Sequence, residues 1–347
     1  MERDGSMPTI FDVAERSGVS VSTVSRVINA KTDVSASTRA RVEAAIADLA
    51  FAPKVTAQRL AGRRSHAVAM LFPSSYAQRT NHDLDFVIGA AEATAGRDYF
   101  FSLGTDPVDA GGLRQMFRSG LIEGAILMQI TARDWRVELA VEHDFPCVLI
   151  GRTETEHPLS WVDFDFEGAV ARMVDHLVAM GHRHIGFVGR PRAAVDASLG
   201  STTRLQRGYD EGVLRYGLEP FVVTSDLDPI AAGQAALHLV DSAPQVTALV
   251  ATHGPSALGI LRALTERGIS VPADMSLMTV ATDRLAGLSL PALSGTEFPS
   301  AGLGFHAAIA LVRQLDDRAH AIAPRTEHIL LPAAVTLRET TTHVRSR

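Results

Sequence analysis

Residues 20–29 read Ser-Val-Ser-Thr-Val-Ser-Arg-Val-Ile-Asn, a run of short hydroxyls with one long cation and one amide. At helical spacing Val24, Val27 and Ile28 share a face, which leaves Val21, Ser22, Thr23, Ser25, Arg26 and Asn29 on the opposite one. Hydroxyls and amide groups near a helix start can hold phosphate oxygens, and an arginine one turn further can pair bidentately with guanine. A surface face with so few charges and so many small hydroxyls suits the close approach of a polyanion. An ordinary helical hairpin is the other reading of the same spacing.

The elements that would position these groups are legible on either side. Thr9 with Asp12 three residues on is a capping-box start for a first helix, in which Phe11, Val13 and Ala14 fall at apolar spacing. Gly18 stands where that helix must stop in a left-handed conformation, and Ser20 is a good N-cap for the second. The pattern predicts two short helices joined by a tight turn.

The residues Asp12-Val13-Ala14, Gly18-Val19-Ser20, Thr23-Val24-Ser25-Arg26-Val27 and Asn29 follow an ungapped signature, continued by Val34-Ser35, Thr38-Arg39 and Val42. Phe51-Ala52-Pro53 and Ala57-Gln58-Arg59-Leu60-Ala61 extend it. In these residues the chain resembles the LacI/GalR family of transcriptional regulators. The resemblance implies that Val21 and Ser22 reach base edges in the major groove, with Arg26 on a guanine. It implies that Thr9, Thr23, Ser25, Asn29, Ser35 and Thr38 hold phosphates, which fixes register without reading sequence. Thr56–Ala61 is too short to stay helical alone. The resemblance makes it a hinge that folds against its twin over the minor groove, with Ala57, Leu60 and Ala61 at the DNA and Leu60 wedged into a base step. Lys54-Val55 departs from the family pattern, so phosphate contacts at the hinge start are expected to differ.

Composition agrees. Residues 1–64 hold ten Lys and Arg against seven Asp and Glu, which leaves 23 against 32 in the remainder of a chain whose net charge is −6. A mildly basic head on an acidic body is what a DNA-binding module joined to a larger core should show. The single cysteine, Cys147, lies in an apolar run and reads as a buried thiol. There is no signal-peptide pattern and no apolar run near 18 residues, so a cytoplasmic protein without a membrane span is expected. No cofactor is implied. Gly302-Leu303-Gly304 lacks the third glycine and, on this reading, the preceding strand of a dinucleotide fingerprint. His182-x-His184 could suggest a metal but falls in the family's Gly-His-Arg loop, and no hydrolytic motif occurs, so no enzyme is expected.

Beyond residue 64 short β-branched runs alternate with helical stretches, from Ala67–Phe72 through Ser276–Val280, which predicts parallel sheets of α/β type. The predicted fold class is an all-α helix-turn-helix headpiece with a hinge, then a two-lobed periplasmic-binding-protein-like core. The expected divisions are 1–53 headpiece, 54–64 hinge and 65–340 core. Within the core, an N-lobe of about 65–162 and 296–323 and a C-lobe of about 163–295 and 324–340 are expected. Ligands in open α/β sheets bind beyond the carboxyl ends of strands. Phe72, Arg152, Trp161, Asp163, Arg204, His253 and Asp283 are the effector candidates on that rule and on the resemblance, with Asp165 beside them. Arg204 stands four residues before Gly208 rather than the family's three, and His253-Gly254 and Ala281-Thr282 replace the usual carboxylates. The expected partners are a palindromic double-stranded operator, a small-molecule effector of carbohydrate type and a second copy of the chain, with no leucine heptad after Thr340 to build a tetramer. A regulator answering to a nucleoside, a sugar phosphate or a partner protein is the alternative, and a pure small-molecule binding protein a more distant one.

Overall fold

The computed structural model describes residues 8–28, 31, 33–51, 64–72, 83–97, 99–104, 109–190 and 200–344. The chain divides into two compact units, residues 1–65 and 66–347.

In the first unit three helices, α1 (Ile10–Ser17), α2 (Val21–Ile28) and α3 (Ala36–Asp48), enclose Val13, Ala14, Val24, Val27, Val42, Ala45 and Phe51. Thr9 donates from its backbone N–H and its hydroxyl to the Asp12 carboxylate at 2.6 and 2.7 Å, and these bonds hold that carboxyl below its ordinary range. Gly18, at φ 66°, donates to Glu15 while Val19 donates to Ala14, which satisfies the last carbonyls of α1. Phe11 departs from the expected apolar face: it is 70% exposed, and Ile10 packs in its place. The helix turns by about 100° per residue, so Ile10, Val13 and Ala14 form the inward stripe and Phe11 points away.

The second unit holds two six-stranded sheets. The first has strand order β11-β5-β4-β3-β1-β2 and is wholly parallel: β1 (Ala67–Leu71), β2 (Phe100–Gly104), β3 (Gly124–Leu127), β4 (Cys147–Ile150), β5 (Ser160–Phe164) and β11 (His328–Leu331). The second has order β12-β10-β9-β8-β6-β7: β6 (Ile185–Gly189), β7 (Phe221–Thr224), β8 (Ala248–Ala251), β9 (Ser276–Ala281), β10 (Ser294–Glu297) and an antiparallel β12 (Val335–Thr336). Helices α4 (Asp83–Thr94), α5 (Ala110–Ser119), α6 (Trp135–Glu142) and α12 (Ser300–Ala319) accompany the first sheet. Helices α7 (Phe166–Ala179), α8 (Gly200–Arg215), α9 (Pro229–Ser242), α10 (Gly254–Glu266) and α11 (Asp283–Leu288) accompany the second.

The chain passes between sheets after β5, after β10 and after β11. This moves the expected lobe boundaries. Asp163 and Phe164 belong to the first sheet, Thr296 and Glu297 to the second, and the segment after 324 returns to the first sheet as β11 before entering the second. β11 escapes a hydrophobic-run reading because it is an edge strand, with His328 and Leu330 exposed and Ile329 and Leu331 half-buried.

A strand, β10, does precede Gly302-Leu303-Gly304, contrary to expectation, yet these glycines serve helix packing. A Cβ on Gly304 would meet the Phe86 carbonyl at 2.1 Å, and one on Gly89 the Ala301 carbonyl at 2.0 Å, so α4 and α12 cross with backbones in contact. Cys147 is fully buried in β4, and burial pushes its thiol up to about 12. No helix among the described residues is long and apolar enough to cross a membrane.

His182 has a structural role. Its Nδ1 lies 2.8 Å from the Thr247 hydroxyl and its Nε2 3.0 Å from the Thr342 carbonyl, so the ring ties the C-terminal segment to the start of β8. Burial lowers its pKa, the Thr342 carbonyl opposes, and His176 and His343 add to the lowering. A histidine titrating lower folded than unfolded contributes its stability fully above the unfolded value of about 6.5 and loses it as pH falls. Thermal unfolding at pH 7.5 and pH 5 is therefore expected to show the core weakening on acidification. His182→Gln should melt lower at pH 7.5 and lose less between the two pH values.

Candidate nucleic-acid interface and effector cleft

In the headpiece, α2 is anchored by one half and exposed by the other. Ser20 caps it: its Oγ accepts the Thr23 N–H at 3.2 Å and lies 2.8 Å from the hydroxyls of Ser22 and Thr23. A single oxygen thus gathers two hydroxyls and an amide at the positive end of the helix dipole. Ser22 and Arg26 are exposed, Thr23 and Ser25 half-buried. Val21, expected on the outer face, is half-buried and packs on the headpiece core as well. The Arg26 guanidinium approaches Asp33 at 3.5 Å with its side chain 60% exposed, a pair weak enough to yield to another acceptor. Ser35 caps α3, accepting the Thr38 N–H at 3.3 Å and donating to the Thr38 hydroxyl at 2.9 Å. The Thr9 hydroxyl proton is committed to Asp12 rather than free for a phosphate. Asn29, Ala57, Leu60 and Ala61 lie outside the described residues.

In the core, a cleft opens where the carboxyl ends of strands from both sheets face each other. About 170 Å³ of it is open to the centres of water-sized molecules. Its polar centre is Asp163 on β5, whose side chain is 3% exposed. The Asp163 Oδ1 accepts the Phe164 N–H at 2.9 Å, while Oδ2 accepts Arg152 Nε at 2.8 Å and faces an Arg204 terminal nitrogen at 3.1 Å. Arg152 belongs to the first sheet's side and Arg204 to α8 on the second, so this carboxylate spans the two halves of the core. Burial lowers the Arg204 pKa, and Asp163 pulls it back. Gly200 makes room: a Cβ there would meet the Arg152 carbonyl at 2.8 Å and the Arg204 guanidinium at 2.9 Å. The Gly200 N–H also donates to the Ile130 carbonyl at 3.2 Å, a second tie across the cleft.

Three of the expected effector residues, Asp163, Arg204 and His253, line the cleft. The other four do not. Arg152 stands beside it, its guanidinium 5.1 Å from the Trp161 ring centre, and Trp161 stacks on His328 at 4.7 Å. Phe72 is buried in the main core because it ends a central strand. Asp283, the first residue of α11, pairs with Arg338 and is mostly exposed. Asp165 caps α7, accepting the Gly168 N–H at 2.9 Å, and pairs with Arg172.

The cleft adds residues that sequence reasoning missed. Phe86, Phe166 and Phe298 form an apolar floor, with Phe298 centred 5.8 Å from Phe86 and 5.7 Å from Phe166. Gln129, Arg190 and Thr252 follow β3, β6 and β8. The strand-end rule that singled out Arg152 would have found them.

Comparison with known proteins agrees with both units. The family model for bacterial regulatory proteins of the lacI family matches residues 9–54, and a periplasmic binding protein-like domain matches 174–341. The lactose operon repressor of Escherichia coli (strain K12) is 31% identical over 277 residues, 78% of this chain and 74% of that one. The structure of the transcriptional regulator CelR in complex with cellobiose is similar at a TM-score of 0.69 and 27% identity, over 96% of this chain and 99% of that one. The lac repressor dimer bound to operator and the anti-inducer ONPF shares the fold at a TM-score of 0.80 and 24% identity, over 97% and 100% of the two chains. Fold and site define a DNA-binding transcriptional regulator built on a periplasmic-binding-protein-like core. The chain belongs to the lacI family of bacterial regulatory proteins.

Removing one partner from a buried ion pair leaves the other uncompensated and costs about 3–5 kcal/mol. Asp163→Asn is accordingly expected to destabilise the core by about that amount in urea unfolding. An Asp163→Asn core as stable as the parent would show that the carboxylate does not hold the two halves together.

Proposed function

We propose that this regulator represses a carbohydrate-utilisation operon by binding a palindromic operator as a homodimer in the cytoplasm, and that a sugar bound between the two sheets controls its affinity. The observation that carries this reading is the division of labour within α2. Val24 and Val27 are buried in the headpiece, while Ser22 and Arg26 face outward over a capped helix start. A helix held so firmly by one face and so polar on the other is suited to lie in the major groove. In this reading Val21 and Ser22 meet base edges, and Arg26 leaves Asp33 for a guanine. Thr23, Ser25, Ser35 and Thr38 contact phosphates.

A palindrome calls for a two-fold pair of headpieces. Edge strand β2 and helix α4 expose Phe100, Leu103, Leu84 and Ile88, with Phe100 72% exposed. Leu103, Leu84 and Ile88 lie on the side of the sheet that α4 covers and Phe100 on the other, and an apolar edge of this kind is suited to a second copy of the chain. The sugar reading rests on the aromatic floor and the buried Asp163–Arg204 pair, together with the cellobiose held by CelR in its complex. A ligand touching both halves of the cleft is expected to change operator affinity by a coupling of about 1–3 kcal/mol.

The test is selection of fragmented genomic DNA by the purified full chain without added ligand. Recovered fragments should share a palindrome with half-sites about one helical turn apart. Uniform recovery would count against a specific reader. Arg26→Ala should lose about 1–3 kcal/mol of discrimination at one symmetric base pair while retaining affinity for unrelated DNA.

A further inference from the structure

The polar groups of the cleft are unequally spent. Asp163 is largely committed: Oδ1 takes a backbone N–H and Oδ2 takes two guanidiniums, three of about four acceptor sites. It has little accepting capacity left for the hydroxyls of a neutral sugar. The arginines are not saturated. The Arg204 side chain is nine-tenths buried, and its Nε has no hydrogen-bond partner. Arg190, half-buried just beyond β6, has an Nε in the same condition and makes no ion pair within 4 Å among the described residues. Asp226 acts on it only from beyond that distance and does not line the cleft. Asp83, the other lining carboxylate, is already engaged. The lining carries two guanidiniums, Arg190 and Arg204, and two carboxylates, Asp83 and Asp163, both already engaged. Buried donors without acceptors are costly, and a charged acceptor relieves them more than a neutral one.

We propose that the ligand of this cleft is a carbohydrate bearing an acidic group, a carboxylate or a phosphate, seated on Arg190 and Arg204. The proposal rests on the reading of the cleft as a sugar site and names the class of sugar. The acid accepts from the Arg190 and Arg204 guanidiniums, while the apolar face of the sugar ring lies on Phe86, Phe166 and Phe298. An acid at Arg204 also competes with Asp163 for that guanidinium. Ligand charge would thereby act on one of the bonds that join the two halves of the core.

The test is titration calorimetry of the full chain at fixed ionic strength with matched triads, each a hexose, its hexuronate and its 6-phosphate, in the gluco, galacto and manno series. An acidic member is expected to bind and its neutral parent not. Arg190→Gln should weaken that binding about tenfold or more, since charge-assisted hydrogen bonds are strong. Arg262→Gln, which removes an exposed charge on α10, should leave it unchanged. Which arm binds distinguishes carboxylate from phosphate. A neutral hexose binding as tightly as its acids, an Arg190→Gln protein binding the acids normally, or no acid binding at all would each overturn the proposal. The operator selection is scored without ligand, so its failure sinks the regulator reading, whereas a neutral sugar in the cleft sinks only the acidic assignment.

Discussion

The core depends on one buried carboxylate that holds a guanidinium from each side of a cleft. Asp163 sits at the carboxyl end of a strand of the first sheet, and Arg204 reaches it from the first turns of α8, beside the second. In a low-dielectric interior such a pair is expensive to break, because the partner left behind is a buried, uncompensated charge. The glycine at position 200 belongs to the same device. With any Cβ there, the guanidinium of Arg204 and the Arg152 carbonyl could not lie where they do.

The two arginines on this carboxylate have different surroundings. Arg152 is held between Asp163 and the Trp161 face, so one of the two guanidiniums is fixed from outside the cleft. Arg204 faces into it with donor capacity unspent. Of the two guanidiniums on Asp163, Arg204 is thus the one that lines the cleft.

The headpiece works by a different economy. Among the described residues, seven buried apolar side chains position its three short helices. Much of its definition comes from ends rather than middles: the Thr9–Asp12 bonds, the left-handed Gly18, and the Ser20 and Ser35 caps. Caps are local, so they were readable from residue types three apart. The outward position of Phe11 was misread because three apolar residues in four positions fit more than one helical stripe until the rest of the core chooses between them.

By itself the sequence determined the class of each part. Local rules placed the headpiece helices, nine of the strands and the alternation that makes parallel sheets, because capping, periodicity and β-branched runs act over a few neighbours. It also named Asp163, Arg204 and His253. Only the tertiary structure decided that Asp283 turns to Arg338, that Phe72 is buried in the core and that Arg190 and three phenylalanines complete the cleft. It alone showed that β11 returns to the first sheet. Those outcomes depend on which strand ends meet across two sheets, and residues far apart in the chain settle that through packing and charge.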